Sequence, residues 1–513
     1  VSFLKHSSAA CLAIVWATAS AAQEPLSAID WLDDIETVAL TAPYGTFPSE
    51  PPAADAIDLP DIAVTPLDAA RAGAVGLLPG TTTGLPATLW QTSPTPALIR
   101  RLEALPDMPL PAVQALYYTL LLAEADAPED AGRAARFLSA RIATLRRFGA
   151  VEPALALVER AGGAVPQRFD QWLDLSLLNG TEDRACAALR KKPSLTKSLT
   201  ARIFCTARAG DWTTAVLTYH GATSLGALGE PDTTLLALFL DPEMIETTPP
   251  PAAPEDVTAL QFRLFEAVGA ALSTRNLPRA FAMADLRGTA GWKAEIEAAE
   301  RLARTGALAG TQLLGLYTAR KPAASGGVWG RVAAVQALDT ALTANDAQAV
   351  ADALPAAWSS ARDMQLETVM ADLFSERLMQ MTLPDRARAL VLDIALLSPL
   401  YETAAQDLTP VTPRQRFAVG LARGTPSEDM ATTPTEAAIA DGFGRTGAPP
   451  EHQALLDEDR LGEAILSAAT QLDDHTGATR EGFGAALAAL RAFGLEETAR
   501  RAALQILLLE RIN

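Results

Sequence analysis

Leu145-Arg146-Arg147-Phe148-Gly149-Ala150-Val151-Glu152-Pro153-Ala154 decides the fold of this chain, because Leu490-Arg491-Ala492-Phe493-Gly494-Leu495-Glu496-Glu497-Thr498-Ala499 repeats its pattern. In both, a helix closes on an apolar side chain, a Gly is free to take the left-handed cap, and a new helix starts at once. Ala207-Arg208-Ala209-Gly210-Asp211-Trp212 follows the same logic, with Asp211 placed to cap the next helix. Working outward, apolar periodicity and Pro or acidic starts predict helices over 95–105, 111–125, 128–148, 152–160, 168–178, 182–190, 194–208 and 212–219. The connections are short, as adjacent antiparallel helices require.

Composition agrees with an all-α chain. Of 513 residues, 49% are hydrophobic and only 6% aromatic, so much of the apolar content is Ala and Leu, which build helices and close helix packing. The formal net charge of -19 disfavours nucleic acid or an anionic membrane surface as a partner. Lys191, Lys192 and Lys197 make one small basic spot, read as a solvated loop.

The helix, Gly turn, helix grammar, with Ala207, Gly210 and Ala215 at small-residue spacings, resembles tetratricopeptide-type α-hairpin repeats. The resemblance covers a few hairpins, without a regular period of about 34 residues through the chain. It implies an α-solenoid of antiparallel helix hairpins and a partner-binding role.

Five segments are expected. Residues 1–22 read as a signal peptide, with Lys5, an apolar run from Ala9 to Ala17, and Ala19-Ser20-Ala21 for cleavage near Ala21 or Ala22. Val1 reads as a translated alternative start codon, a bacterial trait. Residues 23–89 form a Pro-rich extended segment in which Ala28 to Ile35 has the spacing of a short amphipathic helix carrying Trp31. That helix is either packed back on the body or a tethered docking peptide. Ile62 to Thr65 and Ala74 to Leu78 are the strand candidates, enough for one short β-hairpin. A first helical block spans 90–246, a Pro-rich linker 247–254, and a second helical block 255–513. The stretches 432–435 and 442–447 read as surface connections. No later segment is long and apolar enough to span a membrane, and Leu504 to Leu509 reads as a buried terminal helix. The expected location is the periplasm, or outside the cell.

Beyond the signal peptide the cysteines are Cys186 and Cys205, on helices flanking one turn. In an oxidising compartment they read as a disulfide, the alternative being two buried thiols. His220 sits at a helix end, and His452 and His475 lie in acidic surroundings. Asp473, Asp474 and His475 have cation-binding chemistry, but a solvated helix end accounts for them, and no metal or cofactor is expected. Asp33-Asp34, Glu129-Asp130, Glu428-Asp429 and Glu496-Glu497 are the most obvious of the paired carboxylates. All but the first lie at or next to predicted helix starts, where negative charge complements the helix dipole. H-E-x-x-H, G-x-S-x-G and the phosphate-binding loop are absent from the sequence. Tyr117, Tyr118, Trp172 and Trp212 fall at apolar helical positions and read as core. Leu378-Met379-Gln380-Met381 also reads as core.

The function expected from these features is an exported, non-enzymatic scaffold or adaptor that binds a protein partner in the bacterial envelope, for instance in a secretion, cell-wall or flagellar-motor assembly. An all-α enzyme acting on a polysaccharide or peptidoglycan is one alternative. A chaperone for exported subunits is the other.

Overall fold

At the quoted turns Gly149, Gly494 and Gly210 have φ of 87°, 81° and 86°, the left-handed region where an L side chain is strained. The same pair of hydrogen bonds closes each turn. Ala150 N donates to Leu145 O and Gly149 N to Arg146 O; Leu495 N donates to Leu490 O and Gly494 N to Arg491 O; Asp211 N donates to Thr206 O and Gly210 N to Ala207 O. The last carbonyls of one helix are thereby satisfied while the chain reverses into the next.

In the computed structural model, residues 74–132, 135–322, 324, 326–473 and 480–509 are described. The expected signal peptide, the Ala28 to Ile35 helix and the Ile62 to Thr65 strand lie outside them. Among the described residues there are 25 α-helices and five 3-10 segments and no strand, so the chain is all-α. Apolar side chains from Val75 to Leu509 form one continuous core that runs past residues 247–254. No described helix is long and apolar enough to cross a membrane.

Four local expectations are corrected. Ala74 to Leu78 is not a hairpin arm: Leu78 makes an isolated bridge to Ala123, and Leu77 N and Leu78 N both donate to Leu122 O. The helix expected to reach Ala125 is Pro111–Leu122, because the Leu121 and Ala123 carbonyls are taken by the buried Arg141 guanidinium. The helix expected from Pro128 begins at Arg136, after positive φ at Gly132 and Ala135. Asp130 turns back instead, accepting from Thr95 N at 2.9 Å and Thr95 Oγ1 at 2.6 Å to cap the start of helix Thr95–Glu103. The helix expected over 194–208 is a 3-10 turn, Pro193–Leu195, then Leu199–Arg208 capped by Ser198.

Of the 432–435 and 442–447 stretches, residues 432–433 and 445–447 are surface connections as expected, while 434–435 and 442–444 belong to a helix. Thr433 and Glu436 form a reciprocal capping box at the start of helix Pro434–Gly444. Inside that helix Gly442 meets Gly484 of helix Arg480–Ala492 so closely that a Cβ would lie 2.7 Å from the Gly484 carbonyl oxygen. Small residues there let two backbones touch.

The first and last helices pack on one another. Helix Pro111–Leu122 lies against Leu461–Asp473 and Glu496–Leu508, and Thr95–Glu103 also touches Leu461–Asp473. Gln505 Oε1 accepts from Ala112 N at 2.8 Å, Leu89 O from Gly462 N at 3.1 Å, and Arg101 pairs with the buried Glu463 at 3.0 Å.

Candidate functional site

Cys186 on helix Asp183–Lys191 and Cys205 on Leu199–Arg208 are buried with Cα atoms 4.9 Å apart and sulfurs at bonding distance. The carboxylate pairs separate into structural roles. Asp130 is the cap just described, and its carboxyl is held below the ordinary range chiefly by the Thr95 hydroxyl. Burial opposes ionisation of Glu496, but hydrogen bonds from Arg491 and Arg500 outweigh it and lower its pKa. Glu428 and Asp429 sit in the 3-10 turn Glu428–Met430. Asp33 and Asp34 lie outside the described residues, as do Asp474 and His475. Among the described residues no three His, Cys, Asp or Glu side chains are grouped to hold a metal.

His220 is exposed with its ring 5.3 Å from that of Tyr219. His452 departs from its acidic sequence surroundings. It is 0% exposed, with its ring 6.1 Å from Phe493, and neither ring nitrogen has a hydrogen-bond partner. Burial pushes its pKa down against the pull of Glu451, and Arg101 pushes the same way as burial.

Tyr117 and Trp172 are core, as the periodicity predicts, but Trp212 is not. Helix Trp212–Ser224 buries only Ala215 and Ala222, seven residues apart on one face, and small side chains there seat it on the body without covering its flanks. Trp212 is 47% exposed, Leu217 68% and Leu225 84%, the largest group of exposed large apolar side chains close together in sequence among the described residues. From Trp212 to Gly229 there is no Asp, Glu, Lys or Arg, in a chain that is 20% charged. An uncharged outer helix face is the feature that solvation does not explain.

A groove of about 630 Å³ opens beside this face, lined in part by Phe204, Trp212, Phe239, Arg208, Arg263 and Glu266. Phe239 stacks on Phe204 at 5.6 Å between ring centres and tilts against Trp212 at 5.8 Å, making an aromatic floor. The two guanidinium groups of its wall are neutralised from within. Arg208 and Arg263 both reach the fully buried Glu182, at 3.2 and 3.1 Å, and Arg263 also pairs with Glu266 at 2.6 Å.

The sequence around the helix is acidic. Between Arg208 and Arg263 the chain has no Lys or Arg, whereas Asp211, Glu230, Asp232, Asp241, Glu243 and Glu246 all fall there. That gap in basic residues, coinciding with the uncharged helix, is the sequence signal that marks the face; apolar periodicity alone assigns Trp212 to the core. No protein-family model, curated protein or solved structure matches the chain.

Proposed function

We propose that the protein is an exported, non-enzymatic adaptor of the bacterial envelope that holds a protein partner on the solvent-exposed surface of helix Trp212–Ser224 and its cap, which presents Trp212, Leu217 and Leu225. The observation that carries this reading is the uncharged, solvent-facing helix beside an aromatic groove. Aromatic anchors next to well-packed pockets supply most of the energy of protein interfaces, and the acidic stretch of chain that carries the helix favours a basic rim on what lands there. The partner therefore presents an apolar patch ringed by Lys and Arg. The Cys186–Cys205 pair and the signal-like first 22 residues support an oxidising, extracytoplasmic setting.

The test is a photo-crosslinking residue at Leu217, with exposed Glu376 on a separate helix as control, in protein expressed in its native envelope. One stoichiometric protein crosslinked from Leu217, absent from Glu376 and lost with Leu225→Asp, supports the adaptor. Absence of any adduct overturns it. Self-adducts alone also overturn it and make the face a contact between copies of this chain.

A further inference from the structure

A second cavity, of about 740 Å³, lies away from that face among Thr274–Asn276, the start of helix Trp292–Ala303 and Trp329 of helix Gly327–Thr343. Its volume falls within the range of about 300–1,000 Å³ typical of small-molecule sites. Trp292 and Trp329 line it with ring centres 4.9 Å apart and planes at 40°, forming a shallow aromatic V. The Trp292 indole is fixed by its Nε1–H, which donates to Leu316 O at 2.9 Å. Both rings are only half-buried. A pair of oriented, half-open indoles offers flat apolar area that packing inside the protein leaves unused.

The polar lining has its own sign. Arg275, Lys293 and Arg301 face the cavity with Glu297 and Asp285, an excess of positive charge within a chain of net charge -19. Glu297 is held between Arg275 at 2.5 Å and Lys293 at 3.9 Å, so one carboxylate answers two cations. Asp285 accepts the Thr274 hydroxyl and is turned into the wall. Arg301 donates to two neutral groups, the Thr274 and Leu277 carbonyls, at 2.7 and 2.8 Å. No carboxylate comes within ion-pair distance of it among the described residues, and Asp285 acts on its charge from farther off. Ser273 and Asn276 add neutral hydrogen-bonding groups at the rim.

Flat apolar platforms, neutral donors and acceptors, and more cations than carboxylates in the lining suit a ligand with ring faces, hydroxyls and a carboxylate. We propose that the cavity around Trp292 and Trp329 binds an oligosaccharide that carries carboxylate groups. The sugar ring faces lie on the indoles, the hydroxyls meet Ser273 and Asn276, and the carboxylate is drawn to Lys293 and Arg301. This site is independent of the Trp212 face, and variants of Leu217 or Leu225 leave it unchanged.

The test uses the full chain, titrated calorimetrically with a galacturonic acid trimer and with the same trimer after its carboxylates are reduced to alcohols. The acidic trimer binds, and the neutral one binds at least about tenfold more weakly, a difference of about 1.4 kcal/mol. Trp329→Ala abolishes the heat, and Lys293→Glu, a change at a solvent-facing side chain that leaves the fold intact, weakens the acidic trimer at least tenfold. Equal binding of both trimers, unchanged binding by Lys293→Glu, or no binding of either overturns the proposal. Tighter binding of benzoate than of the trimer also overturns it, and assigns the cavity to aromatic carboxylates.

Discussion

Replacing Arg141 with Met removes a cation that is completely buried and pairs with no carboxylate among the described residues. Its guanidinium donates to Leu121 O at 2.8 Å, Ala123 O at 2.9 Å and Val75 O at 3.0 Å. The first two belong to the C-terminal end of helix Pro111–Leu122, where the helix dipole favours a cation. Burial pulls the guanidinium down to about 10, which leaves it charged at neutral pH. Met fills nearly the same volume but satisfies none of the three carbonyls. Each buried group left without a partner costs about 1–3 kcal/mol, and relief of the buried charge offsets part of the sum. The expected net loss is about 3–5 kcal/mol in urea unfolding followed by far-ultraviolet circular dichroism. Arg141→Lys recovers less than half of it, since one ammonium does not span three diverging carbonyls. Faster amide exchange at Leu77 and Leu78 accompanies the loss, because their bonds to Leu122 O are held in place by the same clamp. A loss below about 1 kcal/mol would refute the reasoning, since the cost of orphaning those carbonyls would then be absent.

His452→Phe is expected to be neutral or stabilising by about 1 kcal/mol at pH 7, because two unpartnered buried nitrogens disappear. The depressed folded-state pKa means that the histidine's contribution is fully present above its ordinary value of about 6.5 and is lost as pH falls. The wild type should therefore lose up to about 1.4 kcal/mol per pH unit relative to the variant below that value; parallel curves would exclude it. Burial raises Asp285, so that group gives the opposite slope at lower pH, and only the comparison with the variant isolates the histidine. Gly442→Ala should destabilise by about 1–3 kcal/mol by forcing two helix backbones apart. Gly330→Ala, inside a helix with open space around its Cβ, should stabilise by about 0.5–1 kcal/mol in the same melts. The Cys186→Ser, Cys205→Ser double variant should lose about 3 kcal/mol, the chain-entropy value for a separation of 19 residues, and a reductant should bring the wild type to the same midpoint.

The helices and their turns were legible because both are local. Phe148-Gly149 and Phe493-Gly494 carry the whole geometry of the left-handed cap, and Asp211 caps as its position predicts. Helix ends that depend on distant groups were not legible. Nothing near Leu122 announces Arg141, and nothing near Pro128 shows that Asp130 serves Thr95. His452 and Trp212 fail in opposite directions for one reason, that burial is decided by what packs over a position: the imidazole is buried against Phe493 although Glu451 stays within 3.8 Å of it, and an apolar position on a helix is core only if another element covers it. The candidate face itself was written in composition, as the interval between Arg208 and Arg263 without a basic residue.

The meeting of the first and last helices sets an order on biosynthesis. Ala112 finds Gln505 across 393 residues and Arg101 finds Glu463 across 362. At about 5–20 residues per second, the first helices wait roughly 20–80 s for the segments that cover them. Until then Ala112 N and the Arg101 guanidinium lack the partners they have in the finished protein. The earliest part of the body to be made is thus completed only by the last, and a truncation that removes helix Glu496–Leu508 uncovers helix Pro111–Leu122 together with its C-terminal neighbours.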